Sequence, residues 1–199
     1  MKGIKFNIIY ADPPWQFKNS KTGGSHKSGA EQVYKNVMTV EDIKNMPIQD
    51  IAADNCVLVM WWVGAMPKEA IEVVEAWGFT IKNMNGFVWE KLTQRLKMFF
   101  GMGHWTRAGS ESAIIATKGK PKRVSASVRA VFRAKIGKHS AKPEKARKNV
   151  VKLCGDTTRI ELFGRGNTKK GWYVLGNEYY GENKVVLTKD NKFKLYKGK

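Results

Sequence analysis

The chain has 199 residues, 42% of them hydrophobic, enough for one sizeable core and too apolar for wholesale disorder. With 36 Lys and Arg against 17 Asp and Glu it carries +19, which points to a polyanion partner, nucleic acid first. The isolated Cys56 and Cys154 and the scattered His26, His104 and His139 make no disulfide framework and no zinc pattern; no apolar run approaches the roughly 20 residues of a membrane span, so the chain reads as cytosolic, with no metal and no membrane.

Phe6 to Tyr10 is a short apolar strand, and Pro13 and Pro14 end it. Residues 16–32, rich in Gly, Ser, Thr and Lys, read as a polar loop. Thr39 is placed to cap a helix whose first turn holds Glu41 and Asp42. Cys56 to Val63 is a continuous apolar run, the pattern of a strand buried on both faces of a parallel sheet. Pro67 opens a helix with Ala70, Ile71, Val74 and Trp77 at helical spacing and Gly78 as its stop. Strands follow within Phe79–Trp89 and at Ser112–Thr117, while Arg123–Lys138 has few structural signals. Pro143 suits the start of a helix striped with Ala146, Val150 and Leu153 and ended by Gly155. Ile160–Phe163 and Trp172–Leu175 are further short strands, and Lys184–Thr188 with Lys192–Tyr196 reads as a hairpin. The alternation predicts a doubly wound α/β domain over residues 1–180 with helices on both faces, followed by a basic tail, 181–199. Ligands of such sheets bind beyond the carboxyl ends of the strands, which directs attention to Asp12–Trp15, Gly164–Lys170 and Gly176–Glu178.

Asp12-Pro13-Pro14-Trp15 is the most informative of these. The prolines stiffen the backbone, so the Asp12 carboxylate and the Pro13 carbonyl are two acceptors aimed together. An exocyclic amino group, with two N–H donors, matches them, and Trp15 offers a flat face for a purine. The alternative is a rigid strand-end turn with a packed Trp.

Further segments follow in order: Trp77-Gly78-Phe79, Phe87-Val88-Trp89-Glu90-Lys91, Gly103-His104-Trp105-Thr106-Arg107, Thr117-Lys118-Gly119-Lys120-Pro121, His139-Ser140-Ala141-Lys142-Pro143, Ile160-Glu161-Leu162-Phe163-Gly164-Arg165 and Gly171-Trp172-Tyr173-Val174-Leu175-Gly176-Asn177-Glu178. Together with Asp12–Trp15 the series resembles the MT-A family of S-adenosylmethionine-dependent adenine N6-methyltransferases, over roughly residues 4–178. That family includes the eukaryotic mRNA adenine methyltransferase and phage and bacterial DNA methyltransferases. The resemblance implies a Rossmann-like methyltransferase fold in which the catalytic motif precedes the cofactor segments. It implies that Asp12, Pro13, Pro14 and Trp15 are catalytic and that S-adenosylmethionine is held by Asp12, Lys142, Arg165, Asn167, Asn177 and Glu178. Asn167 lies in a glycine-rich stretch one residue shorter than the eukaryotic pattern. The family's upstream segment that holds the cofactor adenine is not found before Phe6.

The residues themselves agree in part. Lys142, just before Pro143, sits at a helix start, where a cation opposes the macrodipole unless it serves an anion. Asn177 and Glu178 follow a strand end, the usual place for an acid on a ribose. A solvated lysine and a plain turn are the alternatives. His104 reads as a positioning residue rather than a base, and Trp105 as part of a substrate pocket. Residues 118–148 contain twelve basic residues and one acid, Glu144, giving +11. Lys118, Lys120, Lys122, Arg123, Arg129 and Arg133, with His104 and Trp105, are the candidate nucleic-acid contacts, a phosphate-gripping arm or else a solvated basic loop. The expected activity is methyl transfer to adenine N6 in DNA, RNA being the alternative substrate and an inactive nucleic-acid-binding subunit the alternative class. Small size and the Lys18–Gly24 loop favour DNA.

Overall fold

Strand β1, Phe6–Ala11, lies at the centre of the sheet and is almost wholly buried. The structure, a computed structural model, describes residues 3–16, 38–103, 105–137, 141–166 and 169–196. The 16–32 loop after Gln16, His26, His104, His139 and Asn167 therefore fall outside the described residues.

β1 is followed by helix α1 (Val40–Lys44), a 3₁₀ turn (Ile48–Asp50), β2 (Ala52–Trp62), α2 (Pro67–Ala76), β3 (Thr80–Leu92), β4 (Ser110–Lys118), β5 (Val131–Lys135), α3 (Glu144–Cys154), β6 (Arg159–Leu162), β7 (Tyr173–Leu175), β8 (Lys184–Leu187) and β9 (Phe193–Leu195). The strands form one sheet in the order β5-β3-β4-β2-β1-β6-β7-β8-β9. Thr39 caps α1 as expected: its Oγ1 accepts the Asp42 N–H at 3.0 Å and the Asp42 carboxylate accepts the Thr39 N–H at 3.1 Å, a reciprocal box.

Helices cover both faces. On one, Ile9, Leu58 and Met60 pack against Ile43 of α1 and Ala70, Val73, Val74 and Trp77 around α2. On the other, Ile8, Tyr10, Val59 and Trp61 meet Ala146 and Val150 of α3. The split follows the alternation of side chains along each strand. In α2, Val73 is buried and Ile71 only half so, one position from the stripe read in the sequence.

The sheet is mixed rather than uniformly parallel. β1 runs parallel to β2 and β6, but β4 is antiparallel to both β2 and β3. The long β3–β4 connection returns at the same end of the sheet that it leaves, so no crossover helix is needed. β5, not foreseen, pairs parallel to β3 within the stretch read as structureless. The β8–β9 hairpin pairs through β8 with β7 and buries Val185 and Phe193 against the core of the β1 sheet. Among the described residues no helix is long and apolar enough to cross a membrane.

Candidate active site

The carboxyl ends of β1, β6, β7 and β8 face the same way, as do the end of β3 and the start of β4. Asp12 follows β1 there. Its Oδ2 accepts from Lys142 Nζ at 2.7 Å. The same ammonium lies 3.1 Å from Glu111 Oε2, and Lys91 Nζ lies 2.5 Å from Glu111 Oε1. Four charges thus alternate in sign from Lys91 to Asp12. Lys142 also sits 5.4 Å over the Trp61 ring, whose N–H donates to Tyr10 Oη at 2.7 Å.

Burial raises the Asp12 carboxyl above its ordinary range, with Lys142 opposing. Burial pulls Lys142 down, but Asp12 and Glu111 outweigh it and hold the ammonium above its usual value. Glu111 goes the other way from Asp12: burial raises it, but Lys142 and Lys91 together hold it low. Two carboxylates on one lysine are therefore set apart, Asp12 the readier to take a proton.

The turn after β1 departs from expectation in one respect. Trp15 is 5% exposed, so its expected stacking face is covered. Its indole N–H donates to the Trp61 carbonyl at 3.0 Å, which pins the loop to β2. Its backbone N–H donates to the Pro13 carbonyl at 2.8 Å, taking one of that oxygen's two lone pairs.

Beyond Pro14 lies a cavity of about 650 Å³, lined by Phe163, Gly164, Arg165, Gly176, Asn177 and Glu178, with Met46, Leu175 and Leu187 among its apolar wall. Three of the expected cofactor residues thus meet in one hollow, joined by an Arg165–Glu178 ion pair at 3.6 Å. The two loops carrying them are zipped together: Gly164 N–H donates to the Leu175 carbonyl at 2.9 Å and Gly166 N–H to the Glu178 carbonyl at 2.9 Å. A Cβ at position 176 would stand 1.8 Å from the Gly164 carbonyl oxygen, so no other residue fits there.

Glu161, absent from the expected set, belongs to the same region. Burial raises its carboxyl above the ordinary value, opposed by Arg147 and Lys169, each with a nitrogen 3.6 Å away. Its Oε2 is buried without a hydrogen bond. Asn177 and the acid of Glu178, set in an apolar-walled cavity, fit the ribose diol and flat base of S-adenosylmethionine. Lys91 and Glu111 are likewise outside the expected set; Lys91 belongs to the Phe87–Lys91 segment, but only the β3–β4 register brings it to Glu111.

The basic candidates do not form one arm. Lys118 ends β4 opposite Cys56, and the Lys120 N–H donates to Asn55 Oδ1 at 2.8 Å, both at the end of the sheet away from Asp12. Lys122 and Arg123 are exposed beside Val124, whose N–H bonds the Leu153 carbonyl at the far end of α3. Arg129 and Arg133 do come together, in a groove of about 630 Å³ that also holds Lys145 and Lys152 of α3. Trp105 is 97% exposed and stands apart from the cavity beyond Pro14.

The MT-A70 family model matches residues 6–178. The chain is 30% identical to the type II methyltransferase M.MunI of Mycoplasma sp, with 92% of this chain and 81% of the relative covered. It is 26% identical to the human N(6)-adenosine-methyltransferase catalytic subunit METTL3, over 89% of this chain but 29% of that protein. Against the human N(6)-adenine-specific methyltransferase METTL4 the identity is 27%, over 87% of this chain and 37% of the relative.

Proposed function

The chain belongs to the MT-A70 family, as an S-adenosylmethionine-dependent adenine N6-methyltransferase of Rossmann-like fold, and on that premise we propose that its substrate is adenine in DNA. The observation that carries the reading is Asp12, fixed by Lys142 at the end of β1 and two residues before Pro14, which lines the cavity of Arg165, Asn177 and Glu178. DNA is favoured over RNA because the chain is 30% identical to a type II methyltransferase and 26% identical to METTL3.

S-adenosylmethionine supplies an electrophilic methyl group on a sulfonium. Asn177 and Glu178 would hold its ribose, and Asp12, Lys142 and Glu161 its amino-acid end. Asp12 and the second lone pair of the Pro13 carbonyl accept the two N–H bonds of the adenine amino group. This draws the nitrogen lone pair out of the ring and orients it. Asp12 then takes the proton released on transfer, a task suited to a carboxylate whose pKa is raised. Alignment and charge complementarity carry the reaction. Arg129, Arg133, Lys145 and Lys152 grip phosphates in their groove. The setting is the cytoplasm of a bacterium or of a phage-infected host.

The test is incubation with methyl-labelled S-adenosylmethionine and separate DNA and RNA pools, followed by nucleoside digestion. Label in N6-methyldeoxyadenosine is the expected result. Label confined to the RNA pool overturns the substrate, and cofactor binding with no transfer to either pool overturns the activity.

A further inference from the structure

The β3–β4 connection, residues 93–109, leaves and rejoins the sheet at the site end. Its stem is closed by hydrogen bonds: Lys91 N–H to the Gly109 carbonyl at 2.8 Å, Phe99 N–H to the Lys91 carbonyl at 2.9 Å, and a reciprocal pair between Gly101 and Ala108 at 3.0 and 3.2 Å. Lys91 is also the first member of the charge chain that ends on Asp12. The arm is therefore anchored on the residues that hold the catalytic carboxylate. Gly103 lies close to the returning backbone: a Cβ at position 103 would stand 2.2 Å from the Thr106 carbonyl oxygen.

The surface of this arm is unusual. Leu96, Met98, Phe100, Met102 and Trp105 are all exposed, Phe100 at 75% and Trp105 at 97%, and they make up half of the large exposed hydrophobic side chains described. Apolar side chains left in water on one projecting element mark a binding surface. The same segment carries Arg95, Lys97 and Arg107 and no acid. Arg107 lies 4.9 Å from the Phe100 ring centre, so cation and apolar groups are interleaved. A second copy of the chain is a poor occupant, because two such arms would meet in molecules that each carry +19. A polyanion with an apolar interior is a good one.

We propose that the described residues of this connection, 93–103 and 105–109, are a wedge that enters the base stack of duplex DNA as the target adenine leaves it. This inference rests on the DNA reading above. An adenine inside a duplex cannot reach Asp12 until it is extruded. Apolar side chains driven between base steps lower the cost of that unstacking. Phe100, Met102 and Trp105 fill the gap, and Arg95, Lys97 and Arg107 meet the flanking phosphates.

The test compares wild type with the Phe100→Ser, Met102→Ser, Trp105→Ser triple variant on plasmid DNA free of methylated adenine, used as duplex and as heat-separated single strands. The wedge acts only where bases must be unstacked, so the variant should lose about tenfold or more on duplex and less than about threefold on single strands. Trp105→Phe, which keeps an insertable ring, should retain duplex activity. Calorimetric affinity for S-adenosylmethionine, unchanged in the triple variant, shows that the fold is intact. Equal losses on both substrates, or undiminished duplex activity, overturn the wedge and leave the DNA reading standing. A wild type that sediments as a dimer and a variant that sediments as a monomer overturn it in favour of a second copy. A wild type that methylates neither form of DNA overturns both readings.

Discussion

Lys142 and Asp12 are 130 positions apart in the chain, yet the ammonium lies 2.7 Å from the carboxylate. Both were expected to hold S-adenosylmethionine; in the structure they also hold each other. The stiff Asp12–Trp15 turn brings one and the start of α3 brings the other. The pairing places a buried cation beside the proposed proton acceptor without leaving that acceptor low in pKa.

Asp12→Asn should abolish turnover while the chain stays folded. Burial holds the Asp12 carboxyl above its ordinary value, so its charge disfavours the folded state and its loss is no threat to the fold. The amide keeps the shape but cannot take a proton. The variant should lose more than tenfold in kcat, about 1.4 kcal/mol of barrier, read in a single-turnover methyl-transfer assay.

The acid limb of the wild-type pH–rate profile should report the same group. Protonation removes the acceptor, so kcat should fall as pH drops through a value above the ordinary carboxylate range. Glu111, held low, stays ionised over that window. A limb at or below the ordinary aspartate value would show that another group controls the rate.

The sequence made the two ends of this arrangement legible and hid its middle. Pro13 and Pro14 mark where β1 stops, and Pro143 marks where α3 begins, so Asp12 and Lys142 could be placed by local rules. Lys91 and Glu111 meet because Trp89 stands opposite Glu111 in the β3–β4 ladder, a register set by tertiary packing. The basic residues, read as one arm, are separated in the fold for the opposite reason. Lys118 and Arg133 are near in sequence, but the chain runs along α3 between them, which places them far apart on the sheet. β5 escaped notice because Val131-Phe132-Arg133-Ala134-Lys135 is short and carries two charges, with only Phe132 buried.

Glu111→Gln should destabilise the chain by about 3 kcal/mol, because it leaves Lys91 and Lys142 short of a partner in a largely buried place. The folded pKa of Glu111 is depressed, so its contribution is present above the ordinary glutamate value and lost as pH falls through the lower folded one. The gap between wild type and variant in urea unfolding should therefore narrow in acid. A gap that is constant from neutral pH into acid would show that the carboxylate charge is not what stabilises.

Asn177→Ala and Glu178→Ala should weaken S-adenosylmethionine binding, with nucleic-acid affinity little changed. Both residues line the cavity beyond Pro14, away from the Arg129 groove. A lost charged hydrogen bond at Glu178 should cost on the order of 1.5–3 kcal/mol in calorimetry. Unchanged affinity in both variants would move the cofactor elsewhere.

Neutralising Arg129, Lys145 and Lys152 should weaken DNA binding at every sequence and flatten its dependence on salt. The three line one groove between β5 and α3, where a phosphate backbone can run past all of them. Each phosphate contact removed should reduce the log–log salt slope by about 0.9 on duplex DNA, so the slope of the triple variant should shrink by about 2.7. Lys118→Ala with Lys120→Ala is the matched control. These two carry comparable charge but stand at the opposite end of the sheet from Asp12, and Lys120 is tied by its backbone to Asn55. Their removal should lower the net charge without changing the slope by a full contact. Binding measured at several salt concentrations separates the two. Equal slopes for both variants would mean that the +19 acts as a diffuse field and that the groove is no special track.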